Sequence, residues 1–460
     1  MLSSTCGVAN PRIEEPSEAS RTRRFPLSSR AMPEQRRPSK RRGPAGAGRS
    51  AGGAGPQRPT RRQGTVRLAP EIARRVREGH PWIFSEALRG RRLSQAPGDV
   101  VDVVDTQGDF VARALADPGG PLCLRVFSRT PAAALDPARI REVLATAAEG
   151  RRSALDVDLS ADGCCRVLNG DSEGLPAVNV DRYADYLVVS FYSAIAERFL
   201  DPLLDGLVDL WRPRGIYLQR RYLPAPAGKP RPPGALVRGL TAPTEIVVRE
   251  GRTRFAVDVT APLGTGLFPD MRQGRAAVTR LAAGRRVLNC FSYTGAFSVV
   301  AAMAGAMEVV SVDTAARAHG RARHNFTLNN VNPAPHAFIT GDAFATLARF
   351  VSQSRSAELL ILDPPTFSSG AKGRAFTAIK DYAELTAAAL PVMPRGGLLL
   401  AASNAAKLPH DDFERALGRG AAQAGRELVI SERLSQPSDY PASPAFSEGR
   451  YLKLVVCRVL

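Results

Sequence analysis

The sequence predicts an α/β protein whose carboxy-terminal half folds as a doubly wound parallel sheet. One observation is the rhythm of the chain. Apolar runs of strand length at Val287, Val309, Ala337, Leu359, Leu398 and Val429 alternate with segments of helical length. The other is local. Val287 to Phe297 reads VLNCFSYTGAF, a strand entering a Tyr-Thr-Gly turn and then a small-residue helix, and the next strand, Val309 to Val312, ends on Asp313. Strand, glycine turn, helix, strand, acid is the layout of a nucleotide-binding βαβ unit. The glycine lets the backbone approach a ligand, and the acid can bond both hydroxyls of a ribose. On this pattern Asn289, Phe291, Tyr293 and Gly295 stand at the mouth of an adenosine-cofactor site. The lack of GxGxxG argues against a dehydrogenase.

The 460 residues suffice for two or three domains, each with its own core. Residues 1–63 are rich in Pro, Gly, Ser and Arg and show no apolar periodicity, which predicts a disordered basic tail. Residues 64–130 contain short alternating segments such as VVDVVD, punctuated by Pro97-Gly98 and Gly108, as in a small barrel. Residues 131–260 begin with a helical linker and continue as a strand-rich module, interrupted by a proline-rich loop from Pro224 to Pro233. Residues 261–460 form the doubly wound domain.

The formal charge of +19 implies a polyanionic partner. About half of it lies before residue 63, where 14 Lys and Arg face 4 Glu. Six cysteines without a CxxC pair and only five histidines argue against a zinc or disulfide framework and fit a reducing cytoplasm. No apolar run is long enough to span a membrane.

A later strand narrows the chemistry. Leu359 to Phe367, LLILDPPTF, delivers an acid, two prolines and an aromatic to the same sheet edge. The prolines fix the backbone so that the Asp363 carboxylate and the Pro364 carbonyl can accept hydrogen bonds from a base edge, with Phe367 packing on its face. The base must be presented unpaired or flipped out.

Together these segments resemble the class I S-adenosylmethionine (SAM) dependent 23S rRNA methyltransferases of cytosine-C5 type. The resemblance extends from about residue 64 to 460. It includes Gly79-His80-Pro81-Trp82-Ile83-Phe84-Ser85 and Gly98 to Val103, which look like an RNA-binding PUA domain, the hairpin-rich Val167 to Ser193, and Glu448 to Lys453. It implies a Rossmann-like domain holding SAM, with Asp313 on the ribose and Asp342 near the adenine amino group, although an Asp in Gly-Asp-Ala is also an ordinary N-cap. It implies that Asp270, Arg272 and Arg275, in LGTGLFPDMRQGR, sit near the cofactor, although a surface ion pair explains the first two equally well. His80, Trp82 and Arg113 become candidates for RNA contact, although a Trp in a small barrel is more often a core residue.

The chain departs from that family at one decisive place. Cytosine C5 attacks SAM only after a cysteine thiolate adds to C6. Where the family carries Ser-Cys-Ser, this chain reads Ser403-Asn404-Ala405. A Ser-Asn pair there is similar to the guanine-N7 methyltransferase module, which shares the DPPTFS element. The expectation is therefore methylation of guanine N7 or another base nitrogen, with Asp363, Pro364, Phe367 and Asn404 at the base. Cytosine-C5 methylation and a silent ribosome-assembly factor stand as alternatives. The partner is 23S rRNA or the assembling large subunit, and the oligomeric state stays open, a homodimer included.

Overall fold

The structure is a computed structural model that describes residues 64–460, except 91 and 370–374; the tail expected at 1–63 lies outside the described residues. The first sheet is built from β1 (Gly64–Arg67), β2 (Trp82–Phe84), β3 (Val100–Val104), β4 (Phe110–Ala116) and β5 (Leu122–Ser128), in the order β1-β3-β4-β5-β2. Helix α1 (Pro70–Glu78) starts on the proline and stops at Gly79, whose φ of 126° continues no helix. Its Ala73 and Val76 join Ile83, Val101 and Val103 in one small core.

Helix α2 (Pro137–Ser153) is capped by Asp136, whose side chain accepts the Arg139 amide. Beyond it come β6 (Cys164–Asn169), the single turn α3 (Gly170–Glu173), β7 (Val178–Tyr183), β8 (Tyr186–Phe191), α4 (Leu200–Trp211), β9 (Gly215–Arg220) and β10 (Ala235–Gly239). Their five strands order as β10-β9-β8-β7-β6, with only β8 and β9 parallel, as the intervening α4 requires. A hairpin of β11 (Ile246–Glu250) and β12 (Thr253–Val257) leads onward.

The last domain is three-layered. Its elements are α5 (Arg272–Leu281), β13 (Arg286–Cys290), α6 (Ala296–Met303), β14 (Glu308–Asp313), α7 (Ala316–Leu328), β15 (Ala337–Thr340), α8 (Ala343–Ser352), β16 (Leu359–Leu362), the small hairpin β17 (Phe367–Ser369) and β18 (Ala375–Thr377), α9 (Ala378–Ala389), β19 (Leu398–Ser403), α10 (His410–Gln423), β20 (Leu428–Leu434) and β21 (Lys453–Val459). Strands are apolar on both faces because helices cover both. Val287, Val309 and Ile361 pack with α5, α6 and α7. Leu288, Val310 and Leu362 pack with α8, α9 and α10.

The seven-stranded order is β15-β14-β13-β16-β19-β21-β20. The expected all-parallel sheet needs a correction: β21 was not anticipated as a strand, and it runs antiparallel between β19 and β20. The physical reason is connection length. No helix of α-type intervenes between Leu434 and Lys453, so the chain returns in the opposite direction. Strand order reverses between β13 and β16, which places the ligand crevice at their carboxyl ends.

Candidate active site

The turn after β13 is bent hard. Phe291 has φ 62°, Tyr293 φ 48° and Gly295 φ 72°. Left-handed backbone at two aromatic residues is uphill by roughly 1–3 kcal/mol each, so the surroundings must impose it. They do. The Ser292 amide donates to the Val312 carbonyl at 2.9 Å, the Tyr293 amide to Asp313 Oδ2 at 2.8 Å, and Asn325 Nδ2 to the Thr294 carbonyl at 2.9 Å. The amides of Ser292, Tyr293 and Gly295 are thus all used within the fold, which fixes the turn's shape.

A cavity of about 630 Å³ opens above this turn. Its wall brings together Asp270, Phe291, Tyr293, Asp313, Asp342, Asp363, Pro364 and Asn404. Asp313 ends β14 with Oδ1 accepting the Ala315 amide and Oδ2 the Tyr293 amide, both at 2.8 Å. Each oxygen keeps a lone pair for a ribose hydroxyl. Asp342 is the N-cap of α8, its Oδ1 accepting the Ala345 amide at 3.0 Å, and it also lines the cavity.

Four expected residues lie elsewhere. Asn289 is fully buried beneath α6, where its Nδ2 donates to Ser298 Oγ at 2.9 Å. It faces the helix because β13 alternates, and the odd positions meet α6. Gly295 is absent from the wall, and a Cβ there would stand 2.7 Å from the Cβ of Ala322, so its role is to let α7 approach. Arg272 turns away to Asp439, Nη2 to Oδ1 at 2.6 Å. Phe367 rides on the β17–β18 hairpin, 63% exposed, and does not line the cavity.

The wall's charge fits a particular ligand. Asp270, Asp313, Asp342 and Asp363 are its carboxylates, and the one arginine, Arg275, is already neutralised by Glu250 at 2.7 and 2.5 Å. An acidic cavity repels a pyrophosphate and suits a cation, and SAM carries both a sulfonium and an ammonium group. Its volume lies within the usual range for a small ligand. Ser292, which sequence reading passed over, adds a buried Oγ with no partner at this wall. Phe268 was also passed over, and its ring packs on Tyr293 at 5.5 Å. The glycines shortly before it, in Gly264-Thr265-Gly266, were the available signal.

Asp363 is the unusual group. No donor among the described residues is recorded at its carboxylate, and burial, reinforced by the neighbouring Asp270, pushes its pKa up to about 7. Asp270 itself is raised by burial and accepts the Tyr451 hydroxyl at 2.7 Å. A partly exposed carboxylate in a cavity wall, without a donor among the described residues and with a raised pKa, is a candidate functional group. Asn404 follows β19, and its Oδ1 accepts the Thr366 hydroxyl at 2.8 Å, which leaves the amide N–H groups to act as donors.

Thiols are withdrawn. All five described cysteines are free and buried. Burial pushes Cys123 to about 11 and Cys165, Cys290 and Cys457 to about 12, and holds Cys164 well above its ordinary value. Among the described residues no His, Cys, Asp and Glu cluster could hold a metal, and no helix is long and apolar enough to cross a membrane.

The residues expected at RNA from the first domain divide. His80 is buried between the Trp82 carbonyl and Glu448, and Arg113 is buried against Asp102 and the Ala133 carbonyl. Both tie the fold together. Trp82 is half-buried against Phe446 and faces a second cavity.

Comparison with known proteins agrees with this geometry. Residues 211–453 match the S-adenosylmethionine-dependent methyltransferase family, and residues 66–129 match a PUA-like domain. Ribosomal RNA large subunit methyltransferase I from Yersinia pestis and from Yersinia pseudotuberculosis are each 33% identical over 390 residues, covering 83% of this chain and 96% of theirs. A crystal structure of a methyltransferase complexed with SAH superposes with a TM-score of 0.78 at 24% identity, over 86% of this chain and all of the other. A SAM-dependent methyltransferase from Streptococcus mutans gives 0.77 at 23% identity, with the same coverage. The chain belongs to the PUA-domain-containing family of S-adenosylmethionine-dependent methyltransferases that includes ribosomal RNA large subunit methyltransferase I.

Proposed function

We propose that this protein methylates a base nitrogen in 23S rRNA, guanine N7 or an exocyclic or ring nitrogen of similar exposure, without a covalent cysteine intermediate, acting in the cytoplasm on free rRNA or an assembling large subunit. The observation that carries this reading is position 404. An asparagine stands where attack on cytosine C6 requires a thiolate, and the described cysteines are buried with raised pKa values.

A ring nitrogen with an in-plane lone pair needs no covalent activation, only alignment with the methyl donor and stabilisation of the charge that develops. SAM, when bound, supplies an electrophilic methyl group. The chain's own residues do the rest. Asp313 and the bent turn at Phe291 to Tyr293 hold the ribose end. Asp342 reaches the adenine side. Asp363, when ionised, accepts N–H groups from the base edge and offsets the product's positive charge. Pro364 and Pro365 keep that acid at the strand end. Asn404, oriented by Thr366, donates to an acceptor on the base. Phe367, on the exposed hairpin, is a platform that a bound RNA strand would reach.

The test is nucleoside mass spectrometry of unmodified large-subunit RNA incubated with the protein and labelled SAM. Label in 7-methylguanosine or another N-methylated base is the expected result. Label in 5-methylcytidine would overturn the nucleophile argument, and SAM binding without any label would favour an assembly role.

A further inference from the structure

A second cavity, of about 580 Å³, adjoins the first and is walled by all three domains. The two share Leu263, Gly264, Phe268, Asp270 and Asn404 at their common rim. The acid-proline-proline element faces only the cofactor cavity, so a base being methylated sits on that side of the rim. The second cavity is left for something attached to it.

Its chemistry differs from that of its neighbour. It carries Arg125, Arg166 and Arg221 among aromatic rings, together with Asp171, Asp181, Asp270 and Glu448. Arg125 is paired with Asp171 and Arg166 with Asp181, whereas Arg221 is held, among the described residues, only by neutral groups, Ser190, Gln219 and the Leu263 carbonyl. The Arg166 guanidinium lies 4.4 Å from the Tyr440 ring centre and is fixed there by Asp181 and Asn169, which makes a flat, rigid floor. At the mouth, Tyr192 is 43% exposed and Phe268 49% exposed, large rings left partly open among the described residues. Arg221 lies 5.9 Å from the Tyr192 ring centre and is anchored to the Leu263 carbonyl at the rim. An exposed ring beside the Arg221 guanidinium, at the mouth of a concave wall, is what an unstacked nucleotide needs: a face to stack on and a charge for its phosphate.

We propose that this cavity binds the nucleotide adjoining the methylated one, unstacked from its neighbours, with its base on Tyr192 and its phosphate near Arg221. The proposal rests on the reading that the substrate is rRNA. It makes Tyr192 a determinant of substrate recognition outside the reacting centre.

The test compares the full-length wild-type chain with Tyr192→Ala and Tyr192→Phe. The probes are 23S rRNA and RNA oligonucleotides spanning the methylated segment, carrying 2-aminopurine at each position flanking the modified nucleotide. SAM affinity serves as the control for folding. One flanking position is expected to brighten on binding to wild-type protein and to Tyr192→Phe but not to Tyr192→Ala. Tyr192→Ala is also expected to raise the RNA KM by roughly 5- to 100-fold, with kcat and SAM affinity little changed. An unchanged KM in Tyr192→Ala, or unstacking confined to the modified nucleotide, refutes the second site and leaves the rRNA reading standing. Failure of the wild-type chain to bind large-subunit RNA refutes both. Label in 5-methylcytidine would overturn the nitrogen assignment alone.

Discussion

Asp363→Asn should make the protein more stable and inactive at once. The carboxyl has an ordinary pKa near 3.8 and is pushed to about 7 by burial and by Asp270. Between those values the folded chain holds a proton that the unfolded chain has released. Stability therefore falls as pH rises through that window, and the favourable contribution is complete below 3.8 and gone above about 7. At about 1.4 kcal/mol per pKa unit the full gap corresponds to at most about 4 kcal/mol; because the acid faces an open cavity, roughly 1–3 kcal/mol is the reasonable expectation. Asparagine is nearly the same shape and never ionises. Urea unfolding at pH 8 should then place Asp363→Asn above wild type by that amount, with the two converging near pH 4. Wild-type kcat/KM for RNA should rise with pH through about 7, as the acid becomes able to accept base N–H groups, and the variant should lose methylation. A variant that is destabilised equally at both pH values, or that still methylates RNA, would show that the carboxylate is structural and that the reasoning fails.

Three further outcomes follow from the same geometry. Asp313→Ala removes the acceptor of two backbone amides and the proposed acceptor of the ribose hydroxyls, so calorimetric titration should show SAM binding weakened by roughly 10- to 100-fold. Gly295→Ala meets both a φ of 72° and the Ala322 Cβ at 2.7 Å, and thermal unfolding should show a loss of about 1–3 kcal/mol together with weaker SAM binding. Lys453, 1% exposed, donates to the Ala405 and Tyr451 carbonyls at 2.6 Å each and so ties the Asn404 loop to the tyrosine that holds Asp270. Lys453→Met should lower kcat on the order of 10- to 100-fold in steady-state RNA methylation, with SAM affinity nearly intact.

Much of this was legible in the chain because the chemistry sits at strand ends. A run such as LLILD states in five letters both a buried strand and the acid it carries to the sheet edge, and Asp313, Asp342 and Asp363 all reached the cavity that way. Side-chain direction was harder to read. Asn289 lies two residues before Phe291, yet strand alternation turns it into the α6 interface, and Arg272 leaves the cofactor for Asp439, 167 positions along the chain. β21 escaped notice because its apolar alternation, KLVVCRV, follows a long segment without helix, and only the finished sheet shows the gap between β19 and β20 that it fills.

The second cavity was beyond sequence reading for a related reason. Its floor exists because the Asp439 carboxylate takes the Arg166 amide, 273 positions away, while Arg151 bonds the Asp439 carbonyl. His80 and Glu448 close the wall from 368 positions apart. Such contacts leave no periodicity and no motif, since each partner is an ordinary polar residue in its own neighbourhood. They also lie apart from the wall of the first cavity, whose Asp313, Asp342 and Asp363 are all carried by the last domain. That cavity is walled by elements of one domain, whereas the second is walled by three. On the proposed reading the substrate meets the second surface, and a residue at the common rim such as Asn404 bears on which atom is presented to the methyl group.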